Sequence, residues 1–222
     1  MDSGGHWAVA TAGGKDATLA LHRAREAGLT VRWGLNIFEG NSGQVRFHGT
    51  PRPILEAQLH ALGLEPRLQA THPRGFEAVL AGLLTGIKEE GARGVIFGNL
   101  HLEEIRAWYE SRVLAAGLEH REPLWGQRPL DVVQAVVDEG FQARVVSVNL
   151  ELGDPDWLGQ PLNAELVRRF ERSGIDPCGE HGEYHTLVTD GPGFERPLPI
   201  RIGGTLEREG HRTLELTLEE IG

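Results

Sequence analysis

Apolar and polar positions follow two periods along this chain, and the period switches at short intervals. Residues 6–12 form a compact apolar run that reads as a buried strand. Residues 16–27 then space Leu19, Leu21 and Ala24 along one side of a helix, with Gly28 just beyond its end. The exchange repeats, predicting strands over 31–38, 66–71, 94–98, 118–122 and 143–149 and helices over 53–62, 73–90, 102–116 and 130–139. Gly63, Gly91 and Gly117 close three of these helices, and residues 39–44 read as a turn or loop. This βαβα alternation predicts an α/β fold, a doubly wound and mostly parallel sheet with helices on both faces.

The rhythm changes near residue 150. A last helix is predicted over 163–172, and residues 173–194 gather Gly, Pro, Cys and His into what reads as an ordered loop. Leu198, Ile200 and Ile202, then Leu214, Leu216 and Leu218, alternate with polar residues as antiparallel strands do. The expected organisation is one domain over 1–150 and a smaller α+β region over 151–222, which carries the loop 174–186 and the terminal strands.

Composition narrows the function classes. The chain has 222 residues, 40% of them hydrophobic, and a formal net charge of -10. An acidic chain argues against nucleic acid and anionic membranes as partners. The single cysteine, Cys178, forms no internal disulfide, and no apolar run is long enough to span a bilayer. With no charged-then-apolar leader, the expectation is a cytoplasmic protein. Of the 22 basic residues only Lys15 and Lys88 are lysine.

Lys15 sits in the turn between the first strand and the first helix, Ala12-Gly13-Gly14-Lys15-Asp16-Ala17. A Gly-rich strand-to-helix turn presents backbone N–H groups and the positive end of a helix dipole to an anion. Gly13 and Gly14 let a phosphate approach the main chain, Lys15 would neutralise it from an exposed turn, and Asp16 would hold a metal ion or cap the helix. The spacing is neither the Walker loop nor the dinucleotide fingerprint. Two more stretches carry chemistry. Gly98-Asn99 follows the fourth strand, where ligands of doubly wound sheets sit, and Glu103, Glu104 and Arg106 open the next helix. Residues 174–186 contain Asp176, Glu180, His181, Glu183 and His185, a costly density of titratable groups. Cys178, His181 and His185 also admit a zinc reading, although their spacing matches no common finger.

The opening turn resembles the Ser-Gly-Gly-x-Asp-Ser loop of the N-type ATP pyrophosphatases. Together with Pro123-Leu-Trp-Gly126, Trp157-Leu-Gly159 and Gly179-Glu-His-Gly-Glu-Tyr184, it resembles the diphthine–ammonia ligase branch of that group over residues 6 to about 195. The resemblance implies a Rossmann-like domain of the HUP, adenine nucleotide alpha hydrolase type. It also implies an AMP-forming ligase: a carboxylate attacks ATP, pyrophosphate leaves, and ammonia displaces AMP. ATP and Mg²⁺ are then the expected cofactors. Ala12, Gly13, Gly14, Lys15, Asp16, Ala17, Asn36, Phe38, Gly98 and Asn99 would hold the nucleotide, with Asp16 on the metal. Lys15, Asp16, Glu180 and Glu183 would be catalytic. Glu103, Glu104, Arg106, His181 and His185 would face a carboxylate acceptor, which the family carries on a protein, with ammonium as the nitrogen source.

Three departures bear on this. Both flanking serines are alanine here, Ala12 and Ala17, and each lost hydroxyl is worth on the order of 1 kcal/mol. Residues 98–104 lack the Tyr-Gln of archaeal and eukaryotic enzymes and are similar to bacterial relatives, so the acceptor stays open between diphthine and another carboxylate such as a corrinoid precursor. A non-catalytic nucleotide sensor on the same fold is the alternative. Sulfur transfer to tRNA is disfavoured by the lone cysteine and the acidic charge. A homodimer is left open.

Overall fold

The computed structural model describes residues 5–219. Two sheets share one core. Strands β1 (His6–Ala10), β2 (Val31–Glu39), β3 (Glu65–Thr71), β4 (Ala92–Ile96) and β5 (Glu119–Arg121) form a parallel sheet in the order β3-β2-β1-β4-β5. Helices α1 (Lys15–Glu26), α2 (Arg52–Ala61) and α5 (Pro129–Asp138) pack with Trp7 and Val9 on one face. Helices α3 (Phe76–Glu89) and α4 (Glu103–Ala115) pack with Ala8 and Val95 on the other. Alternate side chains of β1 therefore enter opposite cores, as a strand buried on both faces requires. The predicted helix over 73–90 begins with a 3-10 turn, Pro73–Gly75, ahead of α3.

The second sheet is antiparallel, in the order β7-β6-β9-β8, from β6 (Gln142–Asn149), β7 (Tyr184–Asp190), β8 (Ile200–Arg208) and β9 (His211–Leu218). Two sequence expectations change here. Strand β6, read as the last member of the parallel sheet, pairs instead with β7 and β9, so the second sheet begins before residue 150. Its run of buried valines suits either sheet, and only pairing decides which one it joins. Strand β7 lies inside the stretch read as a loop, because histidine and threonine mask its alternation. Helix α6 (Ala164–Ser173) follows its prediction: the Asn163 side chain accepts from the N–H groups of Glu165 and Leu166, and Gly174 ends it at φ 72°.

The parallel sheet's α1 face, the inner face of the second sheet and α6 close over Leu19, Val145, Trp157, Phe170, Tyr184 and Val188. Each fully buried side chain of this size contributes roughly 1.5–3 kcal/mol. The second sheet's other face buries Val146, Leu187 and Leu214 against Ile54 of α2. These contacts fix β7 against the turn before α1. Among the described residues, no helix is long and apolar enough to cross a membrane.

Candidate active site

The opening turn is stitched to β7. Gly13, at φ 86°, has its carbonyl turned to accept from Val188 N–H at 3.0 Å and from Gln58 Nε2 at 2.9 Å. Lys15 N–H donates to Thr186 Oγ1 at 3.1 Å. The Lys15 side chain follows the same direction. It is only 2% exposed, its ammonium donates to Asp16 Oδ2 at 2.9 Å and to the Cys178 carbonyl at 2.5 Å, and it lies 4.8 Å from the Tyr184 ring centroid. Burial opposes its charge, but Asp16, with Tyr184 and Cys178, holds its pKa well above the usual lysine value. The expectation of an exposed lysine is thus corrected: Lys15 is buried, with its partners beneath the turn. Asp16 does not cap α1 either, since the N-cap is Gly14 and no side chain caps it.

Asp16, although its Oδ2 accepts from Lys15, also faces a cleft. Together with Ala12, Gly14, Ala17, Asn36, Gly98, Asn99, Glu180 and His185 it lines a cleft of about 490 Å³ beyond the carboxyl ends of β1 and β4. Ile37, Phe76, Leu80, Phe97 and Tyr109 make one end of this cleft apolar. Asp16 Oδ1 and Asn36 Oδ1 are among the buried polar atoms of this lining left without hydrogen-bond partners. The Asn36 amide is oriented by its Nδ2, which donates to Thr11 O at 2.8 Å. Among the described residues lining the cleft there is no lysine or arginine.

Gly98 lines the cleft and also has a packing reason to be glycine. A Cβ there would stand 2.6 Å from Ala17 N and 2.7 Å from Asp16 C. Its absence lets the loop after β4 lie directly on the first turn of α1. Asn99 is held from behind by Glu122 Oε1, which accepts from its Nδ2 at 2.7 Å.

The loop before β7 separates two acids of similar expected role. Glu180 lines the cleft, and its Oε2 accepts from Leu100 N–H at 3.3 Å. Burial, then the charge of Asp16, raises its pKa from the usual 4.5 to about 7. Glu183 is 5% exposed and points inward, where Oε1 accepts from Asp176 N–H at 3.2 Å. The expected pair facing one cleft is therefore a single acid in the cleft and a buried clasp of the loop. His181 is exposed and lies outside the cleft, as do Phe38, packed under Arg52, and the exposed Glu103 and Glu104. Arg106 ion-pairs with Glu122 at 3.0 Å and covers Trp125. The helix start contributes Ile105 and Tyr109 to the cleft instead. Cys178, His181 and His185 are not brought together: Cys178 is buried with its Sγ 3.1 Å from Pro129 O, while His185 stacks on His48 at 4.3 Å.

His48 and Phe47 were not legible as site residues. They come from the loop 40–51, which folds back through a bridge between Gln44 and Pro51. Burial, then the charge of Lys15, lowers the His48 pKa to about 4, and burial with His48, Lys15 and His211 around it holds His185 well below the histidine range. The two rings form a neutral wall.

Family models describe what this arrangement is similar to. The diphthamide synthase N-terminal domain matches residues 5–120, and the diphthamide synthase C-terminal domain matches residues 128–217. The chain belongs to the diphthamide synthase family. It is 30% identical over 123 residues to a diphthine–ammonia ligase of Bos taurus, covering 53% of this chain and 46% of that protein. It is 27% identical over 154 residues to that of Homo sapiens, covering 67% and 58%. The chain therefore spans about half the length of the curated relatives it matches. The crystal structure of a predicted subunit of tRNA methyltransferase from Methanocaldococcus jannaschii DSM covers 87% of this chain and 100% of that one, at 14% identity and a TM-score of 0.44, too loose a likeness to bear on the site. In this diphthamide synthase family member the tryptophan motifs are structural. Trp157 packs edge-on to Phe170, 5.0 Å between ring centroids, and Gly126 N–H donates to Leu100 O at 2.8 Å, bracing the loop at the cleft.

Proposed function

We propose that this chain is an AMP-forming, ATP-dependent amide ligase that activates a carboxylate for attack by ammonia. The observation that carries the reading is the convergence on one cleft of the α1 N-terminus, the orphan Asn36 Oδ1 and the Asp16 and Glu180 carboxylates. A cleft of this volume suits a nucleotide. The apolar end accommodates adenine, and Asn36 Oδ1 offers an acceptor to a base N–H. The phosphates then reach the α1 N-terminus, where first-turn N–H groups and the helix dipole favour negative charge.

Mg²⁺ fits this site: Asp16 Oδ1 is a buried carboxylate oxygen without a partner, its Oδ2 being held by Lys15, in a lining whose described residues include no lysine or arginine. Bound there, the ion would supply the positive charge that the triphosphate and departing pyrophosphate need. In the reaction an acceptor carboxylate oxygen bonds to the α-phosphorus as pyrophosphate leaves. Ammonia then attacks the acyl carbon, AMP departs with the oxygen, and a proton is released. Glu180, held by Leu100 N–H at the cleft wall, is placed to orient ammonium and receive that proton. The names of the relatives favour diphthine as the carboxylate, and the bacterial-like 98–104 segment favours another acceptor.

A second reading, nucleotide binding without cleavage, draws on Lys15, which is engaged away from the cleft. Pyrophosphate release with ATP, Mg²⁺, ammonium and a panel of carboxylates separates the two. Ligase activity predicts release that requires the acceptor, stopped at about one equivalent per chain without ammonium and sustained with it, and its loss in Asp16→Asn with the fold retained. Thermal stabilisation by ATP with no release under any combination would establish the second reading.

A further inference from the structure

The groups that the cleft leaves aside include a second cluster at its rim. His101, from the loop after β4, lies beside Asp176 and His181, from the loop before β7. One potential ligand atom of each falls within 4.8 Å of those of the other two. His101 Nε2 is 2.6 Å from Asp176 Oδ2, and the two imidazoles stand 5.7 Å apart between centroids.

We infer that His101, Asp176 and His181 form a binding site for a divalent transition metal of the zinc type, with at least one coordination position open to solvent. Two imidazoles and one carboxylate are the donor set that borderline metals prefer, whereas Mg²⁺ selects oxygen. Metal–nitrogen and metal–oxygen bonds of about 2.0–2.2 Å put the ligand atoms of a tetrahedral site roughly 3.3 Å apart. Small side-chain rotations from the present spacing reach that geometry.

The carboxylate is also set in advance. Asp176 Oδ1 accepts from Cys178 N–H at 2.8 Å, and Asp176 N–H donates to the buried Glu183 at 3.2 Å. These contacts leave Oδ2 directed at His101, in the manner of outer groups that orient a metal ligand. His181 is exposed, so the metal has an entry path. The site uses one of the three residues of the Cys178–His181–His185 spacing and takes its other ligands from elsewhere. It is separate from the Mg²⁺ site proposed at Asp16, and metal binding here does not depend on the ligase reading.

The test is Co²⁺ and Zn²⁺ binding to chelator-treated full-length protein, followed by cobalt absorption and calorimetry. The expected result is one ion per chain, not displaced by excess Mg²⁺. His101→Ala and His181→Ala should each weaken binding by about ten-fold or more. His185→Ala should leave it unchanged. The exposed His181 is the safe variant, because its loss leaves the buried Asp176–Glu183 clasp intact. Absence of a stoichiometric ion, binding that survives His181→Ala, or an equal loss in His185→Ala would each overturn the assignment.

Discussion

The turn before α1 and the loop before β7 solve the same problem with neighbouring residues. In each, one charged side chain enters the cleft and another, close in sequence, turns into the protein: Asp16 and Glu180 face outward, Lys15 and Glu183 inward. The inward pair hold the outward pair in place. Lys15 clamps the loop through the Cys178 carbonyl, and Glu183 clamps it through Asp176 N–H. Residue type does not separate the two roles; burial and available partners do. A polar group placed inside needs partners to offset its desolvation: Lys15 has Asp16, the Cys178 carbonyl and the Tyr184 ring, whereas Glu183 has Asp176 N–H and leaves its Oε2 without a partner.

The strongest way to break this comparison is Lys15→Met, which keeps the aliphatic stem and deletes the charge. Losing one member of a buried, hydrogen-bonded ion pair costs about 3–5 kcal/mol. Urea unfolding should show that loss of stability. A variant as stable as the parent, with only ATP binding reduced, would return Lys15 to the cleft and dissolve the contrast.

The seam between the two regions is sharpened by acid. His48 touches Gly14's side of the turn and stacks on His185 of β7. Its folded pKa, about 4, lies below the usual 6.5. The unfolded chain therefore binds the extra proton first. The contribution is fully present above about 6.5 and is lost as pH falls toward 4, up to roughly 3 kcal/mol. His48→Gln should flatten that part of the stability–pH curve, measured by denaturation at fixed pH values. An unchanged curve would mean that the wall is already open to water.

The smallest expected effect is at Glu183. Glu183→Ala strands Asp176 N–H and should cost about 1–3 kcal/mol. Amide exchange at residues 174–183 should quicken while the parallel sheet stays protected. If exchange were unchanged and nucleotide binding vanished instead, Glu183 would belong with Glu180 in the cleft.

Helical spacing, helix-closing glycines and the β–α exchange made the parallel sheet and its helices readable in the sequence, because those signals are local. The Gly-Gly-Lys-Asp turn and the acid-rich loop were readable as places for chemistry for the same reason. The membership of β6 was not, since buried valines suit a parallel or an antiparallel neighbour and pairing is a long-range choice. Nor were His48, Phe47 and the His101–Asp176 contact, which join segments distant in the chain. Composition and period determined which residues were candidates and where the sheet's carboxyl edge would lie. Only the packing of β7 against α1 decided direction: it buried Lys15 and Glu183 where partners waited, and left Asp16 and Glu180 facing the cleft.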